Sequence, residues 1–353
     1  MADATSVHMR KWLSWLVNRG HEVHLITDMP EEIEGVRVHT LTGRMGVFPF
    51  ALKYLQTRRA VRRIRPDILH AHFLTGYGSW AASAGFHPLI MTAWGCDVLI
   101  DPNRSALKKL AVIYALRSAD VITCAGEHMV QNIQELKGKP GRIRIIYFGT
   151  DTDKFSPKGK SLSLATELDV RGCPTIISTR NFEPIYDVET LVRAMAHIIK
   201  EVPDAKMIAI GKGSLEGYLK NLARSLNLYE SIRFLGFIPN DVLPSYLALS
   251  DIYVSTSLSD AGLPVSTAEA MACELPVVTT DIKANRKWIK NGENGLIVPT
   301  ENPVMLAKKI IELLNDSERR IRFGKAGREM VVKMFNLNSN MLLMEKIYME
   351  LTG

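Results

Sequence analysis

The chain has 353 residues, a formal net charge of +7 and ordinary fractions of hydrophobic (46%) and charged (23%) residues. This length exceeds what one hydrophobic core usually serves and predicts two domains. No stretch approaches the roughly 18 consecutive apolar residues that span a bilayer, and the polar opening Met-Ala-Asp-Ala-Thr-Ser does not resemble a signal peptide. The four cysteines lack paired spacing, which favours buried thiols in a reducing, cytoplasmic compartment over disulfides or zinc.

The first half alternates short β-branched runs with longer amphipathic stretches, a pattern typical of a parallel sheet covered by helices. Strands are predicted at 22–27, 36–41, 68–72, 89–92, 121–123 and 143–147. Helices are predicted at 7–18, 50–64, 105–117 and 127–136.

Residues 1–5 lead almost directly into the first helix, which Ser6 could cap. A Rossmann-type domain starts with a central apolar strand of about five residues, and there is no room for that strand here. We therefore expect either that the strand has been lost or that the true start lies upstream. The first domain should then be the less stable one, with His8 poorly positioned.

A basic amphipathic helix is predicted in the first half. Its cationic residues alternate with apolar ones. The cationic positions are Lys53, Arg58, Arg59, Arg62, Arg63 and Arg65. Such a helix either lies on an anionic membrane surface or packs by its apolar stripe with a solvated outer face. No aromatic platform or zinc-finger spacing supports nucleic-acid binding.

The second half begins with a polar stretch, 151–174, that indicates a linker, and the alternation then restarts. Strands are predicted at 175–179, 207–211, 232–235, 252–255, 277–280 and 296–298. Helices are predicted at 188–201, 215–226, 241–249, 303–315, 317–332 and 338–351. Two doubly wound domains bind ligands at the carboxyl ends of their strands, so a cleft between them is the expected site.

The stretch 258–280 indicates an anion-binding site. A polar, glycine-containing loop runs into a short helix that starts near Val265–Thr267, and a strand follows at 277–280. The free amides at a helix start suit a phosphate or diphosphate. Glu269 lies in the first turns, where it could bind hydroxyls of whatever the phosphate carries. An ordinary turn with a capped helix is the alternative.

Seven segments together resemble retaining glycosyltransferases of family 4, also described as glycosyl transferases group 1, and they cover nearly all of the chain. They occur in the family's order and spacing. The segments are Asn18-Arg19-Gly20-His21-Glu22-Val23; Arg65-Pro66-Asp67-Ile68-Leu69-His70-Ala71-His72; Tyr147-Phe148-Gly149-Thr150-Asp151 with Phe155; Gly211-Lys212-Gly213; Arg233-Phe234-Leu235-Gly236-Phe237-Ile238; Glu269-Ala270-Met271-Ala272 with Pro276-Val277-Val278; and Gly292-Glu293-Asn294-Gly295-Leu296-Ile297-Val298.

The resemblance implies the α/β GT-B fold, with two doubly wound Rossmann-like domains facing a central cleft. It implies an acceptor-binding domain over 1–155, a nucleotide-sugar donor domain over 156–337, and a last helix, 338–353, that packs back on the first domain. The implied reaction moves a sugar from a UDP- or GDP-linked donor to an acceptor hydroxyl with retention of configuration. A glycan or lipid-linked acceptor in cell-envelope synthesis is expected, without metal or other cofactor.

The resemblance also implies a donor site in the second domain. Glu269 resembles the second glutamate of the E-x7-E motif, which binds the ribose, and Arg180 resembles the cation on the donor diphosphate. The remaining donor-binding candidates are Gly211, Lys212, Gly213, Phe237, Ile238, Asp260, Gly262, Val265, Ser266 and Thr267. The acceptor-side candidates, for which simple packing is an equal alternative, are His8, Arg10, His72, Trp94 and Asp97.

Three positions depart from the family pattern. Ala261 stands where the first glutamate of E-x7-E belongs, although Asp260 could replace it if the loop bulges. The lysine expected shortly after the arginine is missing from the region of Ile185 and Tyr186, and Trp94 replaces a histidine. These departures keep two alternatives open: a catalytically impaired sugar-nucleotide-binding protein, and a GT-B epimerase or phosphorylase. His70 and His72 share a strand face, but no third metal ligand is evident nearby.

Overall fold

The computed structural model describes residues 1–42, 47–260 and 262–353, and these form two compact units. Unit one comprises Met1–Phe148 together with Asn338–Gly353, and unit two comprises Gly149–Leu337. Across the described residues, no helix combines the length and the hydropathy needed to cross a bilayer.

Unit one contains two separate parallel sheets. One holds β1 and β2, and the other has the order β3-β4-β5-β6. The strands are β1 (Val23–Thr27), β2 (Val36–Thr40), β3 (Leu69–His72), β4 (Leu89–Ala93), β5 (Val121–Cys124) and β6 (Ile143–Ile145). No strand joins β1 to β3 in the described part of the chain, and residues 1–5 are not a strand. Residues 1–5 therefore do not supply the central first strand that a Rossmann-type sheet would have.

The helices of unit one lie between these strands, as the alternating pattern predicts. They are α1 (Val7–Asn18), α2 (Val47–Ile64), α3 (Ser79–Ser83), α4 (Cys96–Leu99), α5 (Asp101–Arg104), α6 (Ala106–Ser118) and α7 (Glu127–Glu135). A π-helical turn covers Leu74–Gly78, and a 3-10 turn covers Pro140–Arg142. Ser6 lies at the N-cap position of α1, but its side chain makes no capping hydrogen bond, so that part of the prediction is wrong.

Unit two contains one six-stranded parallel sheet with the order β12-β11-β10-β7-β8-β9. The strands are β7 (Thr175–Ser178), β8 (Lys206–Ile210), β9 (Ile232–Gly236), β10 (Ile252–Ser255), β11 (Val277–Thr280) and β12 (Gly295–Val298). Both faces are covered by helices, and the central strands β7, β10 and β11 are buried along their whole length. Such continuous burial explains their apolar, β-branched sequences.

The helices of unit two complete this doubly wound arrangement. They are α8 (Leu162–Glu167), α9 (Val188–Glu201), α10 (Glu216–Ser225), α11 (Leu243–Leu249), α12 (Val265–Ala272), α13 (Lys283–Arg286), α14 (Pro303–Leu314) and α15 (Ser317–Met334). A 3-10 turn covers Pro184–Tyr186. Asp187 caps α9 by accepting a hydrogen bond from the amide of Thr190, and Asn302 caps α14 by accepting one from Met305.

The stretch 151–174 is not the irregular linker that its polarity indicates. It contains α8, and Phe155 is completely buried in unit two, where its carbonyl accepts a hydrogen bond from Arg328. Ala165 and Val170 are buried as well. Residues 149–155 therefore belong to unit two, and the expected domain boundary after residue 155 lies too far along the chain.

The C-terminal helix, α16 (Leu337–Thr352), packs on unit one. Arg19 forms a two-pronged ion pair with Glu345 at 3.2 and 2.9 Å. The Nδ1 of His70 lies 2.7 Å from the hydroxyl of Tyr348. Met344 is fully buried, whereas Leu342, one of the apolar positions of the predicted helix, is exposed. These contacts make α16 an integral part of unit one.

The cysteines are less uniform than predicted. Cys124 and Cys273 are buried, but Cys96 is exposed and Cys173 is partly exposed. All four are free thiols.

Candidate functional site

The sheet of unit two has a topological switch point between β7 and β10. The chain runs from β7 outward through β8 and β9, and then returns to place β10 on the other side of β7. In open α/β sheets, ligands bind outside the carboxyl ends of the strands at such a point. Arg180 follows β7, and the loop from residue 256 to the start of α12 follows β10. The sequence-predicted donor residues therefore converge where this fold binds ligands.

Arg180 is held at this point by three neighbours. Its Nη2 lies 2.6 Å from Oδ1 of Asp260, and its Nη1 donates to Oγ of Ser266 at 3.1 Å. Its guanidinium carbon lies 4.2 Å from the ring centre of Tyr186. The Arg180 residue is only 8% exposed. Burial raises the pKa of the Asp260 carboxyl, while the charge of Arg180 opposes that rise.

The start of α12 supplies backbone donors beside Arg180. Pro264 occupies the N-cap position, and the helix begins at Val265 as the sequence predicts. The first amides of a helix have no partner within it, so those of Val265, Ser266 and Thr267 are available to an anion. Because Ser266 also contacts Arg180 through its hydroxyl, a diphosphate here would meet a cation and a helix start together.

Glu269 lies one turn further along α12 and is 5% exposed. Its Oε1 accepts a hydrogen bond of 3.2 Å from the side-chain amide of Asn240. This contact ties the carboxylate to the segment after β9, the segment that contains Phe237 and Ile238. Phe237 is 61% exposed and Ile238 is partly buried, so this segment presents an apolar surface to solvent.

The turn after β8 approaches the Arg180 backbone closely. Gly211 has φ +152°, and a Cβ atom added there would lie 2.5 Å from the carbonyl oxygen of Arg180. A Cβ atom at Gly213 would lie 2.3 Å from the carbonyl oxygen of Phe182. The side chain of Lys212, between them, is exposed. Both glycines are required by this packing.

The structure brings Arg180, Asp260 and Ser266 into direct contact, with Gly211 against the Arg180 backbone. Gly262 lies in the partly buried loop before α12, and Ala261 is outside the described residues. Sequence reasoning missed two contributors, Tyr186 and Asn240. The only available signal for Tyr186 was its position where the family places a lysine.

Unit one places three of its candidates in an aromatic cluster. Trp94 stacks on Phe148 with ring centres 4.5 Å apart, and His8 lies 5.8 Å from Trp94 and 6.1 Å from Phe148. His72 is buried and meets Trp12 edge-on at 5.1 Å. Burial lowers the pKa of His8 to about 4 and that of His72 well below its ordinary value, so both imidazoles are neutral at pH 7.

The other two acceptor-side candidates have structural partners. Asp97 is fully buried and accepts hydrogen bonds from the amides of Leu74, Trp94 and Gly95 at 2.9–3.0 Å. Burial raises its pKa to about 6 against those hydrogen bonds. Arg10 forms an ion pair with Glu31 and donates to the carbonyl of Ala4. Asp97 thus holds the turn that carries Trp94.

A metal centre has no support in the described ranges, since no group of three His, Cys, Asp or Glu side chains there could hold an ion. His70 directs its ring nitrogens to the hydroxyls of Tyr348 and Thr92, at 2.7 and 2.6 Å.

Comparison with known proteins gives two family matches and several relatives. Residues 169–330 match the family model "Glycosyl transferases group 1", and residues 1–125 match "Glycosyl transferase 4-like". The chain is 27% identical to the N-acetyl-alpha-D-glucosaminyl L-malate synthase of Bacillus anthracis, over 94% of this chain and 90% of that protein. It is 24% identical to a GDP-mannose-dependent phosphatidylinositol monomannoside mannosyltransferase of Mycobacterium tuberculosis, over 71% of this chain and 66% of that protein.

Solved structures show the same fold. The Anabaena protein HepE in complex with UDP-glucose aligns with a TM-score of 0.82 at 18% identity, over 99% of this chain and 97% of that one. The sucrose-phosphate synthase of Thermosynechococcus elongatus aligns with a TM-score of 0.82 at 20% identity, over 99% and 94%. The chain therefore belongs to the glycosyl transferases group 1, within family 4, has the GT-B fold, and is a glycosyltransferase.

Proposed function

We propose that this glycosyltransferase transfers a sugar, with retention of anomeric configuration, from a UDP- or GDP-linked donor to a hydroxyl of a cell-envelope glycan or glycolipid. The observation that carries the proposal is the contact of Arg180 with Ser266 at the start of α12, on the switch point of the sheet. A buried cation next to free helix amides matches the charge and the shape of a diphosphate.

In this proposal the residues of unit two act mainly on the leaving diphosphate. Arg180 and the first amides of α12 stabilise the negative charge that develops as the glycosidic bond breaks, which is a role that a metal ion fills elsewhere. Glu269, oriented by Asn240, binds the ribose hydroxyls. The exposed Lys212 supplies a second positive charge. Transfer then needs no metal.

The relatives support a nucleotide-sugar donor but differ in its identity. HepE was solved with UDP-glucose, and the mycobacterial mannosyltransferase is described as GDP-mannose-dependent. The name of one relative mentions L-malate and that of another a phosphatidylinositol monomannoside, so the relatives do not point to a single acceptor. For this chain we assign acceptor binding to unit one, at the aromatic cluster of His8, Trp94 and Phe148.

A donor screen tests this proposal. We expect one of UDP-glucose, UDP-N-acetylglucosamine and GDP-mannose to raise the melting temperature of the protein and to support transfer in the presence of EDTA. Glu269→Gln should weaken donor binding in calorimetry about 10- to 150-fold, the equivalent of one hydrogen bond to a charged group. Glu329→Gln, at an exposed position of α15, is the matched control and should bind like the wild type.

Three further results would contradict parts of this proposal, and they concern the anomeric configuration of the product, the metal dependence of transfer and donor binding. NMR of the glycoside should show the anomeric configuration of the donor; inversion would refute retention. If EDTA abolished turnover and added metal restored it, the metal-free mechanism would be refuted. Binding of no member of a wide nucleotide-sugar panel would refute the donor site itself.

A second candidate function is sugar-nucleotide binding with impaired transfer. Ala261 cannot accept a hydrogen bond at the position where the family has a glutamate, and Tyr186 lies under Arg180 near the position of the family's lysine. This candidate predicts donor binding without transfer or hydrolysis. A GT-B epimerase would instead release an altered nucleotide-sugar, which chromatography of the products would reveal.

We further propose that α2 attaches the protein to an anionic membrane surface. Its exposed face carries Leu52 and Leu55, at 42% and 56% exposure, followed by exposed Arg58, Arg59, Arg62 and Arg63. Thr57 and Val61 face inward. Lys53 is not part of this basic face, because it forms a 2.6 Å ion pair with Asp28.

Vesicle flotation at low salt tests this membrane proposal. The wild type should float with phosphatidylserine-containing vesicles, because each cation near an anionic surface contributes roughly 1 kcal/mol. Replacing the four exposed arginines of α2 with Gln should abolish flotation. The matched control replaces four lysines that are exposed in unit two with Gln, at positions Lys200, Lys308, Lys325 and Lys333. It removes the same charge and should still float. Equal loss in both variants, or no flotation of the wild type, would contradict the proposal.

A further inference from the structure

Unit one contains a cavity of about 410 Å³ between the strand β2 and the helix α2. Four consecutive residues, 38–41, line it together with Arg59, Ala60 and Arg63 of α2. Because successive side chains of a strand point to opposite faces of a sheet, contact with four in a row means that the cavity lies along the edge of β2. In the described part of the chain this edge pairs with no other strand. None of the described residues that line the cavity is acidic.

Hydrogen bonds fix α2 against β2 at two points. The side-chain oxygen of Gln56 accepts from the amide of Thr42 at 2.9 Å, and its nitrogen donates to the Thr42 hydroxyl at 2.8 Å. Two helical turns further along, Arg63 donates to Nδ1 of His39 at 3.3 Å. The width of the cavity is therefore set by side chains of the protein itself.

A chain of hydrogen bonds orients the guanidinium of Arg63. A guanidinium can only donate, so Nδ1 of His39 accepts and the ring carries its proton on Nε2. That proton faces Nδ1 of His24 at 2.9 Å, and Nε2 of His24 donates to Oε1 of Glu22 at 3.1 Å. Burial, together with the charges of His24, Arg63 and Arg37, lowers the pKa of His39, so its ring is neutral at pH 7. Arg63 is thus held in place by a partner that does not neutralise it.

The positive charge of the cavity has no counter-charge among the described residues. Arg59 forms no hydrogen bond or ion pair with any of them, and Arg63 contacts only the neutral imidazole of His39. Two like charges four residues apart destabilise a helix. An anion placed between the two guanidinium groups would remove this repulsion.

The open edge of β2 adds backbone donors. The amide of Leu41 donates to the carbonyl of Thr27 on β1 at 2.7 Å. By the alternation of a parallel ladder, the amides of Val38 and Thr40 then point away from β1. Both residues line the cavity. Amides at the edge of a sheet contribute to anion-binding concavities, so they complement the two arginines here.

We propose that this cavity, the β2–α2 pocket, binds a phosphate monoester. A monoester carries a charge of about −1.5 to −2 at pH 7 and presents three terminal oxygens, which matches two guanidinium groups and a backbone amide. Arg59, Arg63 and the amide of Thr40 would contact these oxygens. The volume exceeds that of a phosphoryl group alone, and the apolar Leu41 and Ala60 would contact the carbon chain of the ester.

Such a monoester occurs both as a lipid headgroup and as a soluble compound. The lipid source rests on the membrane attachment proposed for α2, whereas the soluble source does not. The probes are therefore glycerol phosphate in solution and phosphatidylcholine vesicles that contain phosphatidic acid, whose headgroup is a phosphate monoester. Vesicles with the same charge from phosphatidylserine are the control for simple attraction to an anionic surface.

Titration with glycerol phosphate, followed by calorimetry and by the NMR shift of the Thr40 amide, tests the soluble arm. Arg59→Gln/Arg63→Gln should weaken binding about tenfold or more, because it removes charge-assisted hydrogen bonds. The matched control, Arg58→Gln/Arg62→Gln, removes the same charge from exposed positions of α2 that do not line the cavity. It should bind like the wild type.

A second pair of variants covers the case in which the arginine variants do not fold. Ala60→Glu places a carboxylate in the pocket and should abolish binding, because it repels the phosphate and pairs with the arginines. Ala60→Gln adds a side chain of the same size without charge and should bind glycerol phosphate more tightly than Ala60→Glu. Unchanged binding by Ala60→Glu would overturn the proposal.

Vesicle flotation identifies the source of the ester. A preference for phosphatidic acid over phosphatidylserine that is lost with Arg59 and Arg63, but not with Arg58 and Arg62, indicates a lipid headgroup. Binding of glycerol phosphate without that preference indicates a soluble ester, and it supports the pocket even if no vesicle binds and the membrane proposal fails. Equal losses in the two double variants, or binding of neither probe, would overturn the proposal.

Discussion

Replacing Arg180 with alanine is expected to weaken nucleotide-sugar binding about 10- to 150-fold and to slow transfer by a larger factor. The binding loss corresponds to about 1.5–3 kcal/mol for a charge-assisted hydrogen bond to a phosphate. The additional loss in turnover follows because charge on the leaving diphosphate increases in the transition state, where the guanidinium interacts most strongly. Calorimetry gives the first effect, and kcat measured under saturating donor gives the second.

The ion pair with Asp260 complicates a simple interpretation of that variant. Arg180 and Asp260 are both nearly buried, with side chains 9% and 11% exposed. Removing one partner of a buried pair leaves an unpaired charge, which typically destabilises a protein by several kcal/mol. Arg180→Ala should therefore also lower the melting temperature of unit two.

The double variant Arg180→Ala/Asp260→Ala separates the two effects. It removes both charges, so the melting temperature should recover while donor binding and transfer stay low. Arg193→Ala, in which an exposed arginine paired with Glu189 on α9 is lost, is the control for general charge removal. If the double variant regained donor affinity together with stability, Arg180 would be a structural residue and not a ligand of the diphosphate.

Asp260→Ala addresses whether Asp260 replaces the absent glutamate of the family motif. In the structure its Oδ1 contacts Arg180, so it orients the guanidinium. No change in donor affinity would mean that the first position of the motif is functionally vacant. If Asp260→Ala lowered donor affinity more than Arg180→Ala/Asp260→Ala does, Asp260 would do more than orient Arg180.

Local chemistry explains why much of the fold of unit two was predictable. The strands β10 and β11 and the helix α9 have the predicted bounds, and α12 begins at the predicted residue. Each of these boundaries has a signal in the sequence itself. Asp187 caps α9, and Pro264 and Pro276 precede α12 and β11. Proline fixes φ and interrupts hydrogen bonding, so it defines boundaries without tertiary information.

The features that the sequence did not predict depend on contacts between residues that are far apart in the chain. Phe155 is held in unit two by a hydrogen bond from Arg328, and Leu168 at the end of α8 by one from Arg233. Both donors lie far along the chain, so the polar composition of this stretch gave no indication of its ordered structure. The direction of a side chain is equally invisible in the sequence. Asp97 follows a strand, and the sequence does not show that its carboxylate accepts a hydrogen bond from the amide of Leu74, 23 residues earlier.

The candidate site likewise combines residues with a local sequence signal and residues whose part depends on distant contacts. The family motifs predicted Arg180 and Glu269 as site residues, because residue type and spacing can be seen directly in the sequence. Their supporting residues, Tyr186 and Asn240, became visible only through contacts in the folded unit. Neither of them belongs to a motif segment that we used, and an aromatic ring beneath an arginine has no fixed sequence spacing.

Replacing Gly211 with alanine is expected to reduce donor binding and transfer strongly, because it would displace the segment that carries Arg180. The added Cβ atom would lie 2.5 Å from the carbonyl oxygen of Arg180 and 3.1 Å from its carbonyl carbon, both backbone atoms that cannot rotate away. The turn after β8 or the segment that carries Arg180 must then move. The φ of +152° adds strain for any residue with a side chain.

We expect a loss of about 1–3 kcal/mol in the stability of unit two, as for other overpacked sites, and a loss of at least tenfold in donor affinity. Displacement of a guanidinium by a fraction of an ångström misaligns it with the diphosphate, and such misplacement is costly for transfer. Calorimetric unfolding and donor titration of the same sample measure the two losses.

Gly217→Ala is the matched control for this substitution. Gly217 lies in α10 of the same unit, and a Cβ atom there meets nothing within 4 Å. Alanine in a helix restricts the unfolded chain and favours the helical state, so this variant should be slightly more stable than the wild type and bind donor equally well. If Gly211→Ala bound donor as tightly as Gly217→Ala, the close approach of the β8 turn to Arg180 would have no part in shaping the donor site.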